Sequence, residues 1–261
     1  MVIIDMASNK DTYTFEEFPF AHYKRHWKKH YAKKFYKNTP LREFVSKVKN
    51  KELAQELGIR VPKTYYIGNY DKCPKEILER KDIIIKKISG GGGNYGIDIQ
   101  HEWENQEVII EEYIRHFRQP DLYKIPFDYK TYVFRGKVLY VLISNRNYGG
   151  NTKNPARMLL KRNKERCNNR LKLPNHRLMK DIDFVIPSQK IWNELITASE
   201  HIGKTVFKDV FVRIDFYLND EGVVFGELSP NPCGTYTANF HRIDDRLNEQ
   251  TLKMVNAKNK K

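Results

Sequence analysis

The sequence predicts an α+β fold in which antiparallel hairpins lie beside amphipathic helices. Residues 211–229 and 131–143 each read as two short strands joined by a turn. Residues 41–57 and 188–203 instead carry apolar residues at helical spacing. At 261 residues, the chain is long enough to bury a substantial core, as one large domain or two small lobes.

Composition narrows the classes of function. The chain is 40% hydrophobic and 30% charged, and its net charge of +15 favours polyanionic partners such as nucleotides, nucleic acid, anionic glycans or anionic lipid. Three widely separated cysteines give no disulfide framework, which fits a reducing, cytoplasmic compartment. The N-terminus lacks a secretory pattern, and the longest apolar run, residues 138–143, is too short to span a bilayer.

The N-terminal part is predicted to be helical. Residues 20–37 place aromatic side chains three and four apart on a strongly basic helix. This stripe packs the helix against the protein or, alternatively, docks it on a membrane surface or an anionic polymer. A second helix follows Pro40 over residues 41–57 and ends at Gly58, and residues 61–68 form an extended edge segment.

The remaining elements are mostly strands. We expect strands at residues 83–88, 97–100 and 107–110, a glycine loop at 89–96, and a hairpin of 131–134 with 138–143. Residues 144–180 are polar and basic, and predict a long loop that includes a short helix at most. An amphipathic helix spans 188–203, and the lysine-ended tail 235–261 is expected to fray.

The most informative segment is the hairpin of Phe211–Leu218 with Val223–Ser229. A three-residue turn, Asp220-Glu221-Gly222, sets Asp215 opposite Glu227. One face then carries Arg213, Asp215, Tyr217, Phe225, Glu227 and Ser229, and the apolar face carries Ile214, Phe216, Leu218, Val224 and Leu228. Two opposed carboxylates require a compensating charge, either a divalent metal such as Mg²⁺ or, on a solvated face, a bridging Arg213.

A glycine run supplies the second signal. In IIIKKISGGGGNYGI, residues 83–97, a strand delivers lysines to four consecutive glycines, whose amides can approach phosphate oxygens closely. Lys86 and Lys87 face opposite ways, so only one of them points at a phosphate. The run is not a Walker A motif, and a hairpin flap over phosphates is the better interpretation, with a merely flexible turn as the alternative.

In this order, these pieces resemble the ATP-grasp superfamily. DYKTYVFRGK (128–137) and VRIDFYLNDEGVVFGELSPNPCG (212–234) are most similar to its TupA-like branch, named for teichuronopeptide biosynthesis, and the resemblance covers roughly residues 45–234. It implies an ATP-grasp fold, two α+β lobes clamping ATP between antiparallel sheets. The N-terminal region is reduced, and the domains implied are 1–50 (basic and helical), 51–113 (small lobe), 114–250 (large lobe) and 251–261 (tail).

The resemblance also implies roles for individual residues. ATP and Mg²⁺ are the expected cofactors. The implied ATP-binding residues are Lys51, Lys86, Ser89, Gly90, Gly91, Gly92, Gly93, Glu111, Glu112 and Ile114. Of these, the Glu111 side chain is implied to bind the adenine amino group, and the backbones of Glu112 and Ile114 complete the adenine-binding hinge. Asp215, Glu227 and Ser229 are the implied metal ligands, Ser229 standing where many ATP-grasp enzymes have asparagine, and Arg213, Lys130 and Arg146 are the implied catalytic residues.

These roles predict an ATP-dependent carboxylate–amine ligase that forms an acyl phosphate, acting on a cell-surface glycan or peptide-like acceptor. One alternative is a phosphotransferase on the same fold. The other is a nucleic-acid-binding protein, which the charge of +15 favours but which leaves the pairing of Asp215 with Glu227 without a purpose.

Overall fold

A computed structural model describes residues 46–88, 103–117, 125–134, 136–146, 156–166, 186–206 and 212–229. All of them belong to one compact unit, formed by residues 43–166 and 175–231. The helices are α1 (Lys47–Glu56), α2 (Lys75–Leu78) and α3 (Gln189–Thr205), and a 3₁₀ turn spans Tyr70–Lys72. The strands are β1 (Thr64–Asn69), β2 (Ile83–Lys87), β3 (Glu107–Glu112), β4 (Asp128–Phe134), β5 (Lys137–Asn145), β6 (Ala156–Lys161), β7 (Val212–Asn219) and β8 (Gly222–Ser229).

The smaller sheet has three antiparallel strands in the order β1-β3-β2. Its β1 strand is at the edge, as the sequence predicts for this extended segment. A small core of Cys73, Ile83, Trp103, Val108 and Ile110 packs one side. Helix α1 ends at Glu56, one residue before the predicted end, and Gly58 follows with a φ of +70°, in the left-handed region that glycine favours.

The larger sheet has five antiparallel strands in the order β6-β5-β4-β7-β8. Helix α3 covers one side of it: the Ser199 hydroxyl lies 3.0 Å from that of Thr131 on β4, and a Glu200 carboxylate oxygen accepts from the Val138 amide on β5. The amphipathic pattern of this helix is therefore confirmed. Because α3 occupies one face, the opposite face of the sheet is left for polar side chains.

The turn of the β7–β8 hairpin differs from the prediction. Asn219 pairs with Gly222 around the two-residue turn Asp220-Glu221, and Val223 pairs one position further in. The three-residue turn is therefore wrong. Gly222 adopts φ +122°, and the Asn219 side chain accepts a hydrogen bond from the Glu221 amide, which tightens the shorter turn.

A β-bulge restores the predicted pairing nearer the site. The register shifts between the pairs Asp215–Glu227 and Phe216–Phe225, so that Gly226 is the extra residue on β8. A Cβ on Gly226 would lie 3.0 Å from the carbonyl oxygen of Asp215, which explains glycine at this place. The expected opposition of the two carboxylates is confirmed.

The bulge also exchanges two neighbouring side chains between the faces of β8. Phe225 packs edge-on against Phe216, with ring centroids 6.0 Å apart, and so lies on the apolar face. Val224 instead pairs with Tyr217 and packs with it and Ile114. The predicted positions of Phe225 and Val224 are therefore wrong, because they assumed a register without a bulge.

Strand β6 corrects a second prediction. It falls within residues 144–180, for which the sequence predicted a loop with a short helix at most. Its apolar residues are buried beside β5. The segments around it are polar and basic, so the average composition of residues 144–180 did not indicate a strand. The predicted helix 20–37, the flap 89–96, the strand 97–100 and the tail 235–261 lie outside the described residues.

Candidate nucleotide and metal site

A first charged cluster joins the smaller sheet to helix α1. Lys51 of α1 and Lys86 of β2 both contact Glu111 of β3, with nitrogen-to-oxygen distances of 2.9 and 3.0 Å. Glu111 is completely buried. As predicted from strand alternation, Lys86 is buried and Lys87 is exposed, so only Lys86 enters the cluster.

Two cations around one carboxylate shift the titration of the group. Burial would raise the pKa of Glu111, but Lys86 and Lys51 outweigh it and hold that pKa below its ordinary value. Burial lowers the pKa of Lys51 to about 8, against the opposing effect of Glu111. The Lys51 ammonium is close to Glu111, yet it lacks a well-oriented hydrogen bond among the described residues. An ammonium with donors to spare suits phosphate oxygens.

Lys47 extends this cluster toward the larger sheet. It lies one helical turn before Lys51 on α1 and is 6% exposed. Burial lowers the pKa of Lys47, and Glu227 on β8 is the strongest influence in the opposite direction. Lys47 is not among the predicted site residues, although the predicted helix places it on the same face as Lys51.

A second charged cluster lies on the polar face of the larger sheet. Arg213 holds Asp215 with its Nε and Nη2 atoms, at 2.6 and 3.0 Å, and Lys130 from β4 donates to Asp215 at 2.6 Å. Burial would raise the pKa of Asp215, but Arg213 and Lys130 keep it below its ordinary value. Arg213 therefore bridges to Asp215 and not to both acids, and the surrounding face is largely buried rather than solvated.

Asp128 connects the other two predicted catalytic residues. Its carboxylate lies 3.3 Å from Lys130 Nζ and accepts a 3.1 Å hydrogen bond from Arg146 Nε. Arg213, Asp215, Lys130, Asp128 and Arg146 thus form one chain of alternating charge. Asp128 is not among the predicted site residues, although strand alternation places it on the same side of β4 as Lys130.

The three predicted metal ligands differ in their present contacts. Glu227 is half-buried, and within the described segments it makes no hydrogen bond or ion pair. Asp215 Oδ1 accepts one hydrogen bond, which leaves it room for a further partner. Ser229 pairs with Arg213 across the hairpin and is half-buried. No group of three or more His, Cys, Asp or Glu residues converges in the described parts of the chain.

Two carboxylates and a hydroxyl nevertheless form an all-oxygen donor set. Mg²⁺ prefers oxygen ligands and is usually held by one or two carboxylates, with water and phosphate oxygens completing its octahedron. The pairing of Asp215 with Glu227 supplies this number of carboxylates. The residues present therefore fit Mg²⁺ bound together with a nucleotide.

Tyr217 connects the two clusters. Lys86 Nζ from the smaller sheet lies 5.3 Å from the centroid of the Tyr217 ring. The pKa of Tyr217 is raised well above its ordinary value, first by burial and then by four carboxylates: Asp128, Glu111, Glu227 and Asp215. The contact between Lys86 and Tyr217 brings the first cluster close to the strand that carries Asp215.

Hydrogen bonds from side chains and backbone fix α1 and the segment after it against the β7–β8 hairpin. Asn50 Nδ2 donates to the carbonyl of Leu228 at 3.2 Å, between Glu227 and Ser229. The Phe225 amide donates to the Arg60 carbonyl at 2.8 Å, and the Arg60 guanidinium pairs with Glu221 and Asn219 at the turn. The helix that carries Lys47 and Lys51 is thereby held beside the predicted metal ligands.

The remaining predicted ATP-binding residues have mixed outcomes. Ile114 is buried beside Tyr217, and the Glu112 amide donates to the carbonyl of Lys63. Both oxygens of Glu111 contact lysines, so its reading of adenine stays a prediction. Ser89 and Gly90–Gly93 lie outside the described residues.

Three comparisons bear on identity. The TupA-like ATP-grasp family model matches residues 70–252. No curated protein matches the sequence at a significant level.

The described helices include none long and apolar enough to cross a membrane.

Several solved structures are similar to this chain at low sequence identity. The ADP complex of N5-carboxyaminoimidazole ribonucleotide synthetase is similar with a TM-score of 0.50 and 14% identity, over 86% of this chain and 54% of that one. D-alanine–D-alanine ligase from Bacillus anthracis is similar with a TM-score of 0.44 and 15% identity, over 81% of this chain and 69% of that one. L-amino acid ligase from Bacillus licheniformis is similar with a TM-score of 0.49 and 11% identity, over 76% of this chain and 43% of that one.

The first of these likenesses supports the fold and nothing finer. This chain spans only about half of the synthetase's length, and it has the two antiparallel sheets and the α+β architecture expected of an ATP-grasp fold. The family match covers well over half of the sequence. The chain therefore belongs to the TupA-like ATP-grasp family.

Proposed function

We propose that this protein is an ATP-dependent carboxylate–amine ligase that works through an acyl phosphate. The observation that carries the proposal is that a cluster rich in lysine, around Glu111, meets a pair of opposed carboxylates, Asp215 and Glu227, at Tyr217. Phosphoryl transfer needs neutralised charge and positioned phosphates more than covalent help from the protein. These two groups of residues supply both.

The lysine cluster would bind the nucleotide. ATP-grasp enzymes use ATP and Mg²⁺. Lys51 and Lys86 would contact phosphate oxygens, together with amides of residues 89–93. Glu111, Glu112 and Ile114 would hold the adenine. Binding phosphate would also give the Lys51 ammonium the well-oriented hydrogen bond that it lacks among the described residues.

Mg²⁺ would be held by Asp215, Glu227 and Ser229, together with phosphate oxygens. Its chemistry there is to neutralise phosphate charge and to orient the terminal phosphate. Glu227 has oxygens to offer, whereas Asp215 offers only what Arg213 and Lys130 leave. Asn50 positions this ligand set by fixing the strand between Glu227 and Ser229.

The reaction would proceed in two transfers. An oxygen of the substrate carboxylate attacks the γ-phosphorus, the bond to the bridging oxygen breaks, and ADP leaves with the electron pair. The amine nitrogen then attacks the acyl carbon, phosphate leaves, and the nitrogen loses a proton. Arg213 and Lys130 offset the negative charge on the transferring phosphoryl group, and Arg146 steadies Asp128, which orients Lys130.

The acceptor class follows from the family and the charge. A TupA-like member with a net charge of +15 suits an anionic cell-surface glycan or peptide-like acceptor, made from the cytoplasmic side. The basic segment 20–37 would contact that polymer or a membrane surface. The domain division at residues 50, 113 and 250 belongs to the same proposal.

Trapping with hydroxylamine tests the reaction class. The protein is incubated with Mg–ATP, a panel of amino acids and acidic sugars, and hydroxylamine, and products are read by mass spectrometry. We expect a hydroxamate that requires both ATP and the carboxylate, because hydroxylamine intercepts acyl phosphates. A stable phosphoester without hydroxamate would instead identify a phosphotransferase and overturn the ligase proposal.

A further inference from the structure

A cluster of basic side chains lies around the C-terminal end of α3, on the side of the larger sheet that faces away from the catalytic residues. Thr131, which contacts α3, and its neighbour Lys130 lie on opposite faces of β4. This cluster therefore takes no part in the proposed nucleotide and metal site.

Three cations share one carboxylate in this cluster. Arg162, which follows β6, donates to Glu200 of α3 at 2.9 Å. The ammonium groups of Lys137 on β5 and Lys204 on α3 each lie 3.6 Å from the other Glu200 oxygen. Burial would raise the pKa of Glu200, but hydrogen bonds from Arg162 and the Val138 amide hold that pKa below its ordinary value. Glu200 is therefore charged, and three cations around one acid leave an excess of positive charge.

The backbone fixes the positions of two of these cations. Gly136, in the β4–β5 turn, has a φ of +68°, and a Cβ on it would collide with the side chain of Lys204. A Cβ on Gly203 would lie 3.3 Å from the Cα of Gly136. Glycine at both places lets the turn that leads into Lys137 lie directly against the last turn of α3. The fold itself thus brings Lys137 and Lys204 together.

The repulsion between these cations favours an anionic partner. Lys137 and Lys204 lie within 3.6 Å of the same oxygen, so their charges are closer together than the Debye length of about 8 Å at physiological ionic strength. The two side chains are 49% and 56% exposed, and that of Arg162 is 55% exposed. Glu194, the other acid of α3, instead accepts a hydrogen bond from the Val223 amide, at the opposite edge of the sheet. A polyanion could therefore reach all three cations and reduce their repulsion.

The surroundings of the cluster favour a glycan over other polyanions. Membrane-surface helices insert apolar side chains, and proteins that bind single-stranded nucleic acid stack its bases on aromatic side chains. In the described ranges, the one exposed large hydrophobic side chain is Ile67, on the smaller sheet. Trp192 of α3 is buried, and its indole N–H donates to the Arg162 carbonyl. A carboxylated sugar chain carries charge and hydroxyl groups, and it needs no apolar surface.

We propose that Lys137, Arg162 and Lys204 form a docking surface for the anionic glycan on which the enzyme acts. The inference rests on the proposed function, which supplies an anionic polymer as the acceptor. Because the surface faces away from the catalytic residues, it would hold sugars at a distance from the reacting group. A long chain would then make contacts at both places, and the second contact would raise the affinity for the polymer above that for its monomer.

Binding of polygalacturonate, an anionic glycan, tests the proposal. Nucleotide-free protein is titrated against the labelled polymer at low ionic strength, and fluorescence anisotropy is measured. Dextran, a DNA duplex and vesicles that contain phosphatidylserine are titrated in parallel. We expect polygalacturonate to bind, dextran to remain unbound, and the affinity for polygalacturonate to fall as salt is added. Failure of the wild type to bind polygalacturonate would overturn the proposal.

A double variant assigns the binding to this surface. Lys137→Gln/Lys204→Gln removes two charges and keeps the hydrogen bond from Arg162 to Glu200. We expect it to weaken polygalacturonate binding by roughly tenfold or more, since each basic residue beside an anionic surface contributes about fivefold. Lys72→Gln/Lys75→Gln is the matched control, because both lysines are exposed beside the smaller sheet, and it should change the affinity by less than about twofold. Equal losses in the two variants would mean that net charge alone matters, which would also overturn the proposal.

Glu200→Gln should act in the opposite direction. It keeps all three cations and removes the carboxylate between them, so polygalacturonate should bind more tightly, by roughly fivefold. A purely structural role of Glu200 gives no such gain. If Glu200→Gln does not fold, the two double variants decide the question. If Lys137→Gln/Lys204→Gln weakens the binding of DNA or vesicles and leaves that of polygalacturonate unchanged, the partner is not a glycan and the proposal is wrong.

The failure of this proposal is distinct from that of the proposed function. If hydroxylamine traps an ATP-dependent product and the wild type does not bind polygalacturonate, only the docking surface is refuted. If no ATP-dependent hydroxamate forms, the proposed function is refuted, whichever polymer the protein binds.

Discussion

The two charged clusters are built from the same residue types but differ in the ratio of basic to acidic side chains. Around Glu111, two lysines share a single buried carboxylate, and a third lysine stands one turn away. Around Asp215, acids and bases alternate through Lys130 and Asp128, and Glu227 stands beside the chain with its carboxylate unengaged among the described residues. The first cluster has surplus positive charge for phosphates, and the second has a spare carboxylate for a metal.

The acids of the two clusters also differ in how much they contribute to the stability of the fold. Glu111 neutralises two buried lysines and Asp215 neutralises a buried lysine and a half-buried arginine, whereas Glu227 neutralises none by direct contact with a described residue. A paired buried acid contributes to stability as well as to chemistry, because removing it leaves uncompensated charge. Glu227 should contribute to chemistry alone, so substitutions can distinguish the two kinds of acid.

The largest effect should come from Asp215→Asn compared with Glu227→Gln. Each removes a proposed metal ligand, and we expect ATP turnover to fall by roughly 10²–10³, about 3–4 kcal/mol of transition-state stabilisation. Asp215→Asn should also cost about 3–5 kcal/mol of folding free energy, since Arg213 and Lys130 lose their partner. Glu227→Gln should leave stability nearly unchanged. Urea unfolding and ADP release measure the two quantities, and unchanged turnover in both variants would refute the metal assignment.

Glu111→Gln should be the most damaging change in the lysine cluster. Without the carboxylate, Lys51 and Lys86 are buried beside each other, and we expect a loss of about 3 kcal/mol in the free energy of unfolding. Glu112→Gln is the matched control, because Glu112 is only half-buried and its carboxylate accepts a hydrogen bond from the Lys63 amide. Equal losses in the two variants, measured by urea unfolding, would mean that Glu111 does not compensate the lysines.

The pH dependence of nucleotide binding should report on Lys51. With a pKa of about 8, Lys51 loses its charge as pH rises through that value, so Mg–ATP affinity should fall, by at most about tenfold per pH unit. The folded pKa lies below the ordinary 10.5, so the unfolded chain binds more protons between these values. The nucleotide-free protein should therefore gain stability from Lys51 as pH rises across that window.

Lys51→Arg provides the control for this pH effect. Arginine keeps its charge throughout the range, so the fall in affinity above about pH 8 should disappear. Calorimetric titrations with Mg–ATP at several pH values measure it. The same pH profile in wild type and Lys51→Arg would assign the effect to another group.

The smallest effect should come from the bulge. Gly226→Ala brings a Cβ to 3.0 Å from the Asp215 carbonyl oxygen, and we expect a cost of about 1–2 kcal/mol and a higher Mg²⁺ requirement for turnover. Gly58→Ala should cost about 1 kcal/mol through its positive φ alone, with no change in the Mg²⁺ requirement. A Mg²⁺ titration of ADP release compares them. If both variants behave alike, the bulge does not position the carboxylates.

The sequence predicts those parts of the site that depend on local alternation. The opposition of Asp215 and Glu227 and the inward direction of Lys86 both follow from the two-residue period of strands. The contacts of Asp128 and Lys47 do not follow from this period, because they involve residues of other elements. Asp128, for example, accepts a hydrogen bond from Arg146, at the far end of β5. Pairing between distant elements leaves no periodic signal in the chain.

Two errors in the predicted fold have equally specific causes. Strand β6 is a short apolar run inside a basic segment, so average composition concealed it. The predicted turn was one residue too long, since a three-residue loop that ends in Gly and a two-residue loop followed by a bulge at Gly226 give the same pairing of the carboxylates. The burial pattern constrained the functional end of the hairpin but not its tip.

The most direct test of the central claim is the thermal stability of the protein with ATP, in the presence and absence of Mg²⁺. At a ligand concentration of about one hundred times Kd, binding should add about 2.7 kcal/mol and raise Tm by roughly 5–10 °C. We expect this shift for wild type with Mg–ATP, and a much smaller shift without Mg²⁺ or in Glu227→Gln. No shift with Mg–ATP, or the same shift in all three cases, would contradict the claim that the two clusters together bind a metal–nucleotide complex.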